Sequence, residues 1–151
     1  MRVVLDTNTM LAALLSPGKT ADRLLQVVLL KHRLLVSAAM AAEYGCVLAR
    51  PKFGRLGEEK SRLALLQDVL AAPRCMPVRA RIRVQRLPAD ASDAPFVEAA
   101  LSGVADYLVS GDAHLLALKQ LRSPLLPKPV SVERPAEALR LLSPRRAADT
   151  A

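Results

Sequence analysis

Val3-Val4-Leu5-Asp6, near the start of the chain, is a short apolar run that ends in a carboxylate. A second apolar run, at residues 107–109, is followed by another acid, Asp112. Short apolar runs separated by helical patterns are typical of a parallel sheet that is covered by helices on both faces. The sequence therefore predicts an α/β protein with its first and later strands in the middle of such a sheet.

The rest of the chain alternates between strand and helix patterns, without a linker that would divide it. Strands are predicted at 2–6, 34–36, 107–109 and 130–132, and helices at about 8–15, 20–32, 38–50, 58–72 and 92–102, from 114 and from 134. Ser37 is a plausible N-cap, and Gly103 is expected to end a helix. With 151 residues, the chain is predicted to be one domain over 1–142, with a flexible C-terminal tail at 143–151.

Four acids are the candidate functional residues: Asp6, Glu43, Asp93 and Asp112. Ligands of parallel sheets bind outside the carboxyl ends of the strands, where Asp6 and Asp112 are expected. Glu43 and Asp93 fall on the apolar sides of helical patterns and should point inward. Inward acids that lie close together repel one another unless a cation is bound. The four acids therefore predict a Mg²⁺ or Mn²⁺ site and chemistry on a phosphodiester.

Three of these acids also have a structural alternative. Asp6 could cap the turn that follows it, Asp93 could lie in the first turn of a helix, and Asp112 could form an Asx turn. Glu43 is in the middle of a helical pattern and has no capping role.

The charge of the chain favours a polyanionic partner. Lys and Arg number 22 against 14 Asp and Glu, which gives a net charge of +8 and makes nucleic acid the leading class of partner. Basic residues form two groups: Arg50, Lys52 and Arg55, then Arg79, Arg81, Arg83 and Arg86. On a strand, the first three arginines of the second group would share one face. The alternative is a solvated edge strand whose charges prevent aggregation.

Several other classes are excluded or disfavoured. Two Phe, two Tyr and no Trp argue against a base-stacking platform. Cys46 and Cys75 lack metal-binding spacing and are expected to be ordinary reduced residues. No apolar stretch approaches the length of a membrane span, so we expect a soluble, cytoplasmic protein with no membrane partner.

Several short motifs, in this order along the chain, together resemble a PIN domain. The resemblance is carried by Asp6-Thr7-Asn8, Ser37 with Glu43-Tyr44, Arg50-Pro51-Lys52-Phe53, Asp93 with Phe96, and Asp106-Tyr107-Leu108-Val109-Ser110-Gly111-Asp112. More narrowly, the set resembles the bacterial PIN proteins regarded as toxins of toxin–antitoxin pairs, the VapC-like ribonucleases. It covers roughly residues 2–135.

The resemblance implies a three-layer α/β/α sandwich and a metal-dependent endoribonuclease that acts on RNA. Asp6, Asp93 and Asp112 would hold one or two divalent cations, Mg²⁺ or Mn²⁺, and Glu43 would bind directly or through water. Asn8 and Ser110 match positions of polar groups that orient these acids, although simple turn residues are an equal alternative. A homodimer and a protein antitoxin are the implied protein partners.

The sequence departs from the family pattern in two places. His114 stands where members often carry another acid, and Ala91, Ser92 and Ala94 replace acids around Asp93. His114 could be a ligand or a proton shuttle, but an exposed histidine at a helix start is the plainer reading. Asp90 is the alternative to Asp93, which we prefer because Phe96 follows it by one turn.

The predicted helix at 20–32 has a wider apolar surface than a helix needs to cover one face of a sheet. A homodimer interface, a groove for an antitoxin segment, or a fully internal position would each bury it.

Three functions remain at this point: an RNA-cleaving toxin, an RNA-binding or scaffold protein without turnover, and a phosphatase of the haloacid dehalogenase type. The last is disfavoured because Asn8 replaces the second Asp of its nucleophile loop.

Overall fold

A computed structural model of the protein describes residues 1–84 and 93–144. Within this part of the chain, the strands are β1 Arg2–Leu5, β2 Arg33–Ser37, β3 Cys75–Val78, β4 Tyr107–Val109, β5 Gln120–Leu121 and β6 Val130–Glu133. The helices are α1 Thr7–Leu15, α2 Thr20–Lys31, α3 Ala38–Leu48, α4 Glu59–Leu70, α5 Ala94–Ser102, α6 Ala113–Ala117 and α7 Pro135–Leu142, with a 3-10 helix at Pro51–Leu56.

The described strands form one sheet in the order β3-β2-β1-β4-β6-β5. β1 pairs in parallel with β2 and β4, and the register places Leu5 beside Val109. β5 at the edge is antiparallel to β6. Helices flank the sheet, and the fold is the three-layer α/β/α sandwich expected from the sequence, with a mainly parallel sheet.

The core lies around the two central strands. Val3, Val4 and Leu5 of β1 and Leu108 and Val109 of β4 are fully buried. Strands that are buried on both faces contain continuous apolar residues rather than an alternating pattern. This is why these short runs could be recognised as central strands in the sequence.

Two edge strands were not predicted. β3 contains Pro77, and a proline in a short run argues against a strand unless the strand lies at an edge, as β3 does. β5 is only two residues long and gives no periodic signal. An edge strand pairs with only one neighbouring strand, so its sequence does not need the continuous apolar run that marks a central strand.

The basic segment after β3 does not form the strand that its alternating arginines allowed. β3 ends at Val78, and Arg79, Arg81 and Arg83 lie in an irregular segment without a partner strand in the described sheet. The alternation itself is present, because the three arginines are exposed and the residues between them are partly buried. Side chains of α5 hold this segment, as described below.

α2 buries one face against the rest of the protein and exposes the other. Leu24, Leu25 and Val28 are buried, and α1 and α7 both pack against the helix. Leu30 remains 67% exposed. Much of the apolar surface that suggested a dimer is therefore covered within one chain, but the fully internal position is wrong, because Arg23, Gln26 and Leu30 are exposed.

Other sequence expectations concern the ends of elements. Ser37 caps α3 by accepting a hydrogen bond from the backbone N–H of Met40, and Gly103 is the C-cap of α5.

Cys46 is exposed, Cys75 is partly buried, and both are free thiols. Among the described helices, none is both long and apolar enough to span a membrane. The predicted tail lies mostly outside the described residues.

Candidate functional site

The order of the strands defines where a ligand would bind. From β1 the chain moves outward through β2 and β3, and then returns to the other side of β1 with β4. The carboxyl ends of β1 and β4 thus flank the point at which the strand order reverses. In open α/β sheets this crevice is the usual ligand site.

Asp6 follows β1 directly at this point and is 6% exposed. Its backbone N–H donates to the carbonyl of Val109, at the end of β4, over 3.1 Å. One carboxylate oxygen accepts from the backbone N–H of Thr9 at 2.9 Å, so Asp6 is also the N-cap of α1. The capping role proposed as a structural alternative is therefore present, and it fixes the orientation of the carboxylate.

Ser110 connects Asp6 to Asp112. The fully buried hydroxyl of Ser110 donates to Oδ2 of Asp6 at 2.5 Å, and its oxygen accepts from the backbone N–H of Asp112 at 2.9 Å. The arrangement holds a buried acid and a second, partly buried acid on either side of one hydroxyl.

Asp112 caps α6, with Oδ1 accepting from the backbone N–H groups of His114 and Leu115 at 2.6 and 3.4 Å. Oδ2 accepts no hydrogen bond from the part of the chain that is described. The side chain of His114 is exposed in the first turn of the helix. Asp112 therefore combines the structural role of a cap with one carboxylate oxygen that remains available.

Glu43 reaches the same region from α3. Thr7, which follows Asp6, donates its hydroxyl hydrogen to Oε1 of Glu43 at 2.9 Å. The next residue of α3, Tyr44, is fully buried and donates its hydroxyl hydrogen to the carbonyl of Leu5. Two adjacent residues of α3 are thus tied to the end of β1, and Glu43 lies partly buried beside Asp6.

Burial raises the pKa of Tyr44 well above its usual value, and the negative charges of Asp6 and Glu43 raise it further. The hydroxyl therefore stays protonated at neutral pH and remains a hydrogen-bond donor. The two acids affect the pKa of Tyr44 because they lie near the end of β1, where the Tyr44 hydroxyl is buried.

Asp93 directly precedes α5 and is partly buried. The opposite end of α5 lies at the amino edge of the sheet, because the guanidinium of Arg2 donates to the carbonyl of Gly103. Nine helical residues span about 13 Å, which takes the start of α5 to the carboxyl edge. There, Phe96 packs against Tyr44, with ring centroids 6.1 Å apart.

The four predicted acids thus share one edge of the sheet without forming one tight group. Among residues 1–84 and 93–144, no three His, Cys, Asp or Glu side chains are close enough to hold a metal ion between them. Mg²⁺ commonly takes only one or two protein carboxylates and completes its shell with water and substrate phosphates. Asp6 and Asp112, joined through Ser110, fit that smaller requirement.

Asn8 is placed differently from the other predicted residues. Its side chain is exposed in the first turn of α1 and has no hydrogen bond within the described part of the chain. The neighbouring Thr7 makes the contact with an acid instead. Asp90, the alternative to Asp93, and Arg86, the last member of the second basic group, lie outside the described residues.

The first basic group lies in the 3-10 segment between α3 and α4. Arg50, Lys52 and Arg55 are all exposed there. The segment is held by Arg62, which is 3% exposed and donates to the carbonyls of Leu48 at 3.0 Å, Arg50 and Phe53 at 3.3 Å each, and Gly57. Five N–H donors in a rigid fork allow one guanidinium to do this.

Sequence reasoning missed three residues of this region: Thr7, Tyr44 and Arg62. Thr7 and Tyr44 each adjoin a predicted acid, so their position was the available signal. Arg62 falls on the apolar stripe of α4 with Leu66 and Val69, and a charged residue on such a stripe is rarely buried without partners. That position was the signal for a structural arginine.

Comparisons with known proteins bear on this arrangement. A model of the family described as PIN domain matches residues 2–114, well over half of the chain. No curated protein sequence matches it. Among solved structures, a chain from the "Crystal structure of VapBC2 from Rickettsia felis bound to a DNA fragment from their promoter" is similar, with a TM-score of 0.58 and 14% identity. The similarity covers 89% of this chain and 98% of that one, and concerns the fold.

Proposed function

The chain belongs to the PIN domain family, and from this premise we propose that it is a metal-dependent endoribonuclease that hydrolyses RNA phosphodiester bonds. We further propose that it is the toxin of a toxin–antitoxin pair. Asp6, Glu43, Asp93 and Asp112 are the acids that serve the reaction, with Asp6 at the centre.

The observation that carries the proposal is the position of Asp6 and Asp112 on either side of Ser110, where the strand order reverses. A buried carboxylate is costly unless donors or a cation compensate its charge. Asp6 has a backbone and a hydroxyl donor, and each of its oxygens retains acceptor capacity. The site is therefore preorganised to receive a cation at a place where ligands bind.

Asp6 and Asp112 would hold Mg²⁺ or Mn²⁺ directly, and Glu43 and Asp93 would complete the shell directly or through water. When bound, such an ion supplies a hydroxide nucleophile by lowering the pKa of its water, and it offsets negative charge that develops on the phosphate. No covalent enzyme intermediate is needed for this reaction.

The chain's own residues position the groups. Ser110 and the N–H of Thr9 fix both oxygens of Asp6, and Thr7 fixes Glu43. These hydrogen bonds support Ser110 and Thr7 as the residues that orient the acids, whereas Asn8 has an exposed side chain. Partners that orient ligands in this way typically change metal affinity or activity by about 10- to 100-fold when removed.

RNA is supported as the substrate by the net charge of +8 and by two groups of exposed basic residues, with Arg50, Lys52 and Arg55 in the first and Arg79, Arg81 and Arg83 in the second. Contacts to phosphates make binding salt-dependent and largely independent of sequence. The toxin assignment is supported by the fold shared with a chain of the VapBC2 structure, and it brings a protein antitoxin as a partner.

The test compares wild type with Asp6→Asn on a panel of structured and single-stranded RNAs, with Mg²⁺, Mn²⁺ or chelator. Asp→Asn keeps the size of the side chain and removes the charge that would hold the ion. Asp68→Asn, on the exposed face of α4, removes the same charge elsewhere and is the matched control. We expect metal-dependent products from wild type and Asp68→Asn, and at least a 100-fold loss in Asp6→Asn.

Metal binding gives an independent measurement. Calorimetric titration with Mn²⁺ should show binding to wild type that is weakened in Asp6→Asn and in Asp112→Asn but not in Asp68→Asn. RNA binding without cleavage in any metal, unchanged in Asp6→Asn, would reject the nuclease and leave the non-catalytic RNA-binding protein. A phosphoryl group on Asp6 would instead indicate the phosphatase.

A further inference from the structure

A cleft of about 590 Å³ opens beside the carboxyl ends of β2 and β3. Ser37 and Ala39, at the end of β2 and the start of α3, form one side of the cleft. Arg79 and Arg83 line it from the segment that follows β3, and Glu98 lines it from α5. The cleft is therefore lined by two arginines and one glutamate, and its lining does not include Asp6, Ser110 or Asp112.

The segment that carries these arginines is held by α5. The hydroxyl oxygen of Ser102 accepts from the backbone N–H groups of Arg81 and Ile82 at 3.0 and 2.9 Å. One turn earlier, Oε1 of Glu98 accepts from the backbone N–H of Val84 at 3.1 Å. Two side chains of one helix thus replace the missing strand partner and fix the backbone from which the arginines extend.

The charges in the cleft are incompletely compensated. Arg83 forms an ion pair with Glu98 at 3.3 Å, and its side chain is 74% exposed. The side chain of Glu98 is 13% exposed, but the Arg83 end of the pair is open to solvent, so an anion of higher charge density can compete for the arginine. Arg79 has no ion pair within the described part of the chain. Planar guanidinium groups match the oxygens of a phosphate and bind them in pairs of hydrogen bonds.

The cleft also lies close to the candidate site. β2 is the direct neighbour of β1, and adjacent strands are about 4.8 Å apart. The ends of β2 and β3 are therefore about 5–10 Å from the end of β1, where Asp6 lies. Asp93 immediately precedes α5, whose Pro95 and Glu98 both line the cleft. A strand of RNA that passes the acids would meet the cleft next.

We propose that the cleft binds a backbone phosphate of the RNA next to the bond that is cleaved, with Arg79 and Arg83 as its ligands. The proposal rests on the function proposed above, and it assigns one phosphate to one place on the protein. Arg81 lies between the two ligands and is equally exposed, but it does not line the cleft. Substitution of Arg81 is therefore a matched control for substitution of Arg79 or Arg83.

The experiment measures binding of a short, fluorescently labelled single-stranded RNA by anisotropy, in chelator and over a range of salt concentrations. Chelator prevents cleavage, so the measurement does not depend on catalysis. The variants are Arg79→Ala with Arg83→Ala, each alone and together, and Arg81→Ala as the control with the same charge removed. Thermal unfolding of each variant checks that these exposed substitutions leave the fold intact.

We expect Arg79→Ala and Arg83→Ala to weaken binding each by more than Arg81→Ala does. The double variant should weaken binding by about tenfold or more and lower the magnitude of the salt slope by about 0.7, the value for one phosphate contact on a single strand. Arg81→Ala should weaken binding by less than about threefold. A loss in Arg81→Ala equal to that in Arg79→Ala or Arg83→Ala alone would overturn the proposal, because binding would then depend on overall charge and not on the cleft.

The outcomes also separate this proposal from the nuclease. If wild type cleaves no RNA and the double variant loses RNA binding, the result would support phosphate binding in the cleft and reject the nuclease. If wild type cleaves RNA and the double variant binds RNA normally, the result would reject phosphate binding in the cleft but not the nuclease. A polyglutamate peptide that displaces the RNA and binds more tightly through Arg79 and Arg83 would overturn the proposal in favour of an acidic protein segment.

Discussion

The hydroxyl of Ser110 lies 2.5 Å from Oδ2 of Asp6 and connects the ends of the two central strands. The two residues are 104 positions apart in the chain and are both buried. Because Ser110 also accepts from the backbone N–H of Asp112, one side chain fixes two of the candidate acids. This relationship is the basis of the first prediction.

Ser110→Ala should reduce nuclease activity by about 10- to 100-fold, because it removes the group that orients Asp6. It should also lower the free energy of unfolding by about 1–3 kcal/mol, since Asp6 and the N–H of Asp112 each lose a partner. Cleavage kinetics and urea unfolding measure the two effects.

Ser61→Ala is the matched control for Ser110→Ala, because it removes a hydroxyl from the exposed face of α4. Activity of Ser110→Ala equal to that of the control, at equal stability, would show that Asp6 needs no orientation by the hydroxyl.

Arg62→Met should lower the free energy of unfolding by about 2–4 kcal/mol, because four carbonyls lose a buried donor that methionine cannot replace. The segment at 50–57 should also become a faster site of cleavage by trypsin, since Lys52 and Arg55 are released with it. Urea unfolding and timed proteolysis with mass spectrometry measure these effects.

Two variants interpret the Arg62 result. Arg62→Lys keeps the charge but not the planar fork of donors, and should be intermediate in stability. Arg55→Met, in the same segment but exposed, should unfold like wild type. A stable Arg62→Met protein with an unchanged cleavage pattern would contradict the structural role of Arg62.

Asp106 should make stability depend on acidic pH. Burial raises the pKa of Asp106, but hydrogen bonds from Lys128 and from the backbone N–H of Arg2, with the charge of Lys128, lower it to a net value below the usual 3.8. A lowered pKa in the folded state stabilises the protein above the unfolded value, and the effect is lost as pH falls through the folded value.

The measurement for Asp106 is the difference in unfolding free energy between wild type and Asp106→Asn. We expect wild type to be more stable at neutral pH, with a difference that shrinks below about pH 4. Lys128→Met should remove much of this pH dependence, since it removes the hydrogen bond from Lys128. A difference that is the same at neutral pH and about pH 3 would disprove the linkage.

Gly103→Ala should destabilise the protein by about 1–3 kcal/mol through overpacking. A Cβ at this position would lie 2.7 Å from Cδ1 of Leu35 and 3.0 Å from the carbonyl oxygen of Ala99. Gly54→Ala is the control, because a Cβ there would meet nothing within 4 Å. Thermal unfolding measures both, and equal midpoints would mean that the contact between α5 and β2 can relax.

The sequence by itself determined the α/β class, the two central strands and several ends of helices. These features depend on local signals: continuous apolar runs for strands that are buried on both faces, a serine before α3, and a glycine after α5. The same runs showed which acids follow a strand, and therefore that Asp6 and Asp112 belong to one edge of the sheet.

Only the tertiary structure decided which groups lie together at that edge. The hydrogen bonds from Ser110 to Asp6 and from Thr7 to Glu43 join residues 104 and 36 positions apart. The edge strands β3 and β5 form through pairing with neighbours more than through their own composition. Periodicity shows that a residue points inward, whereas its partner depends on how the elements pack, and the site is built from such partners.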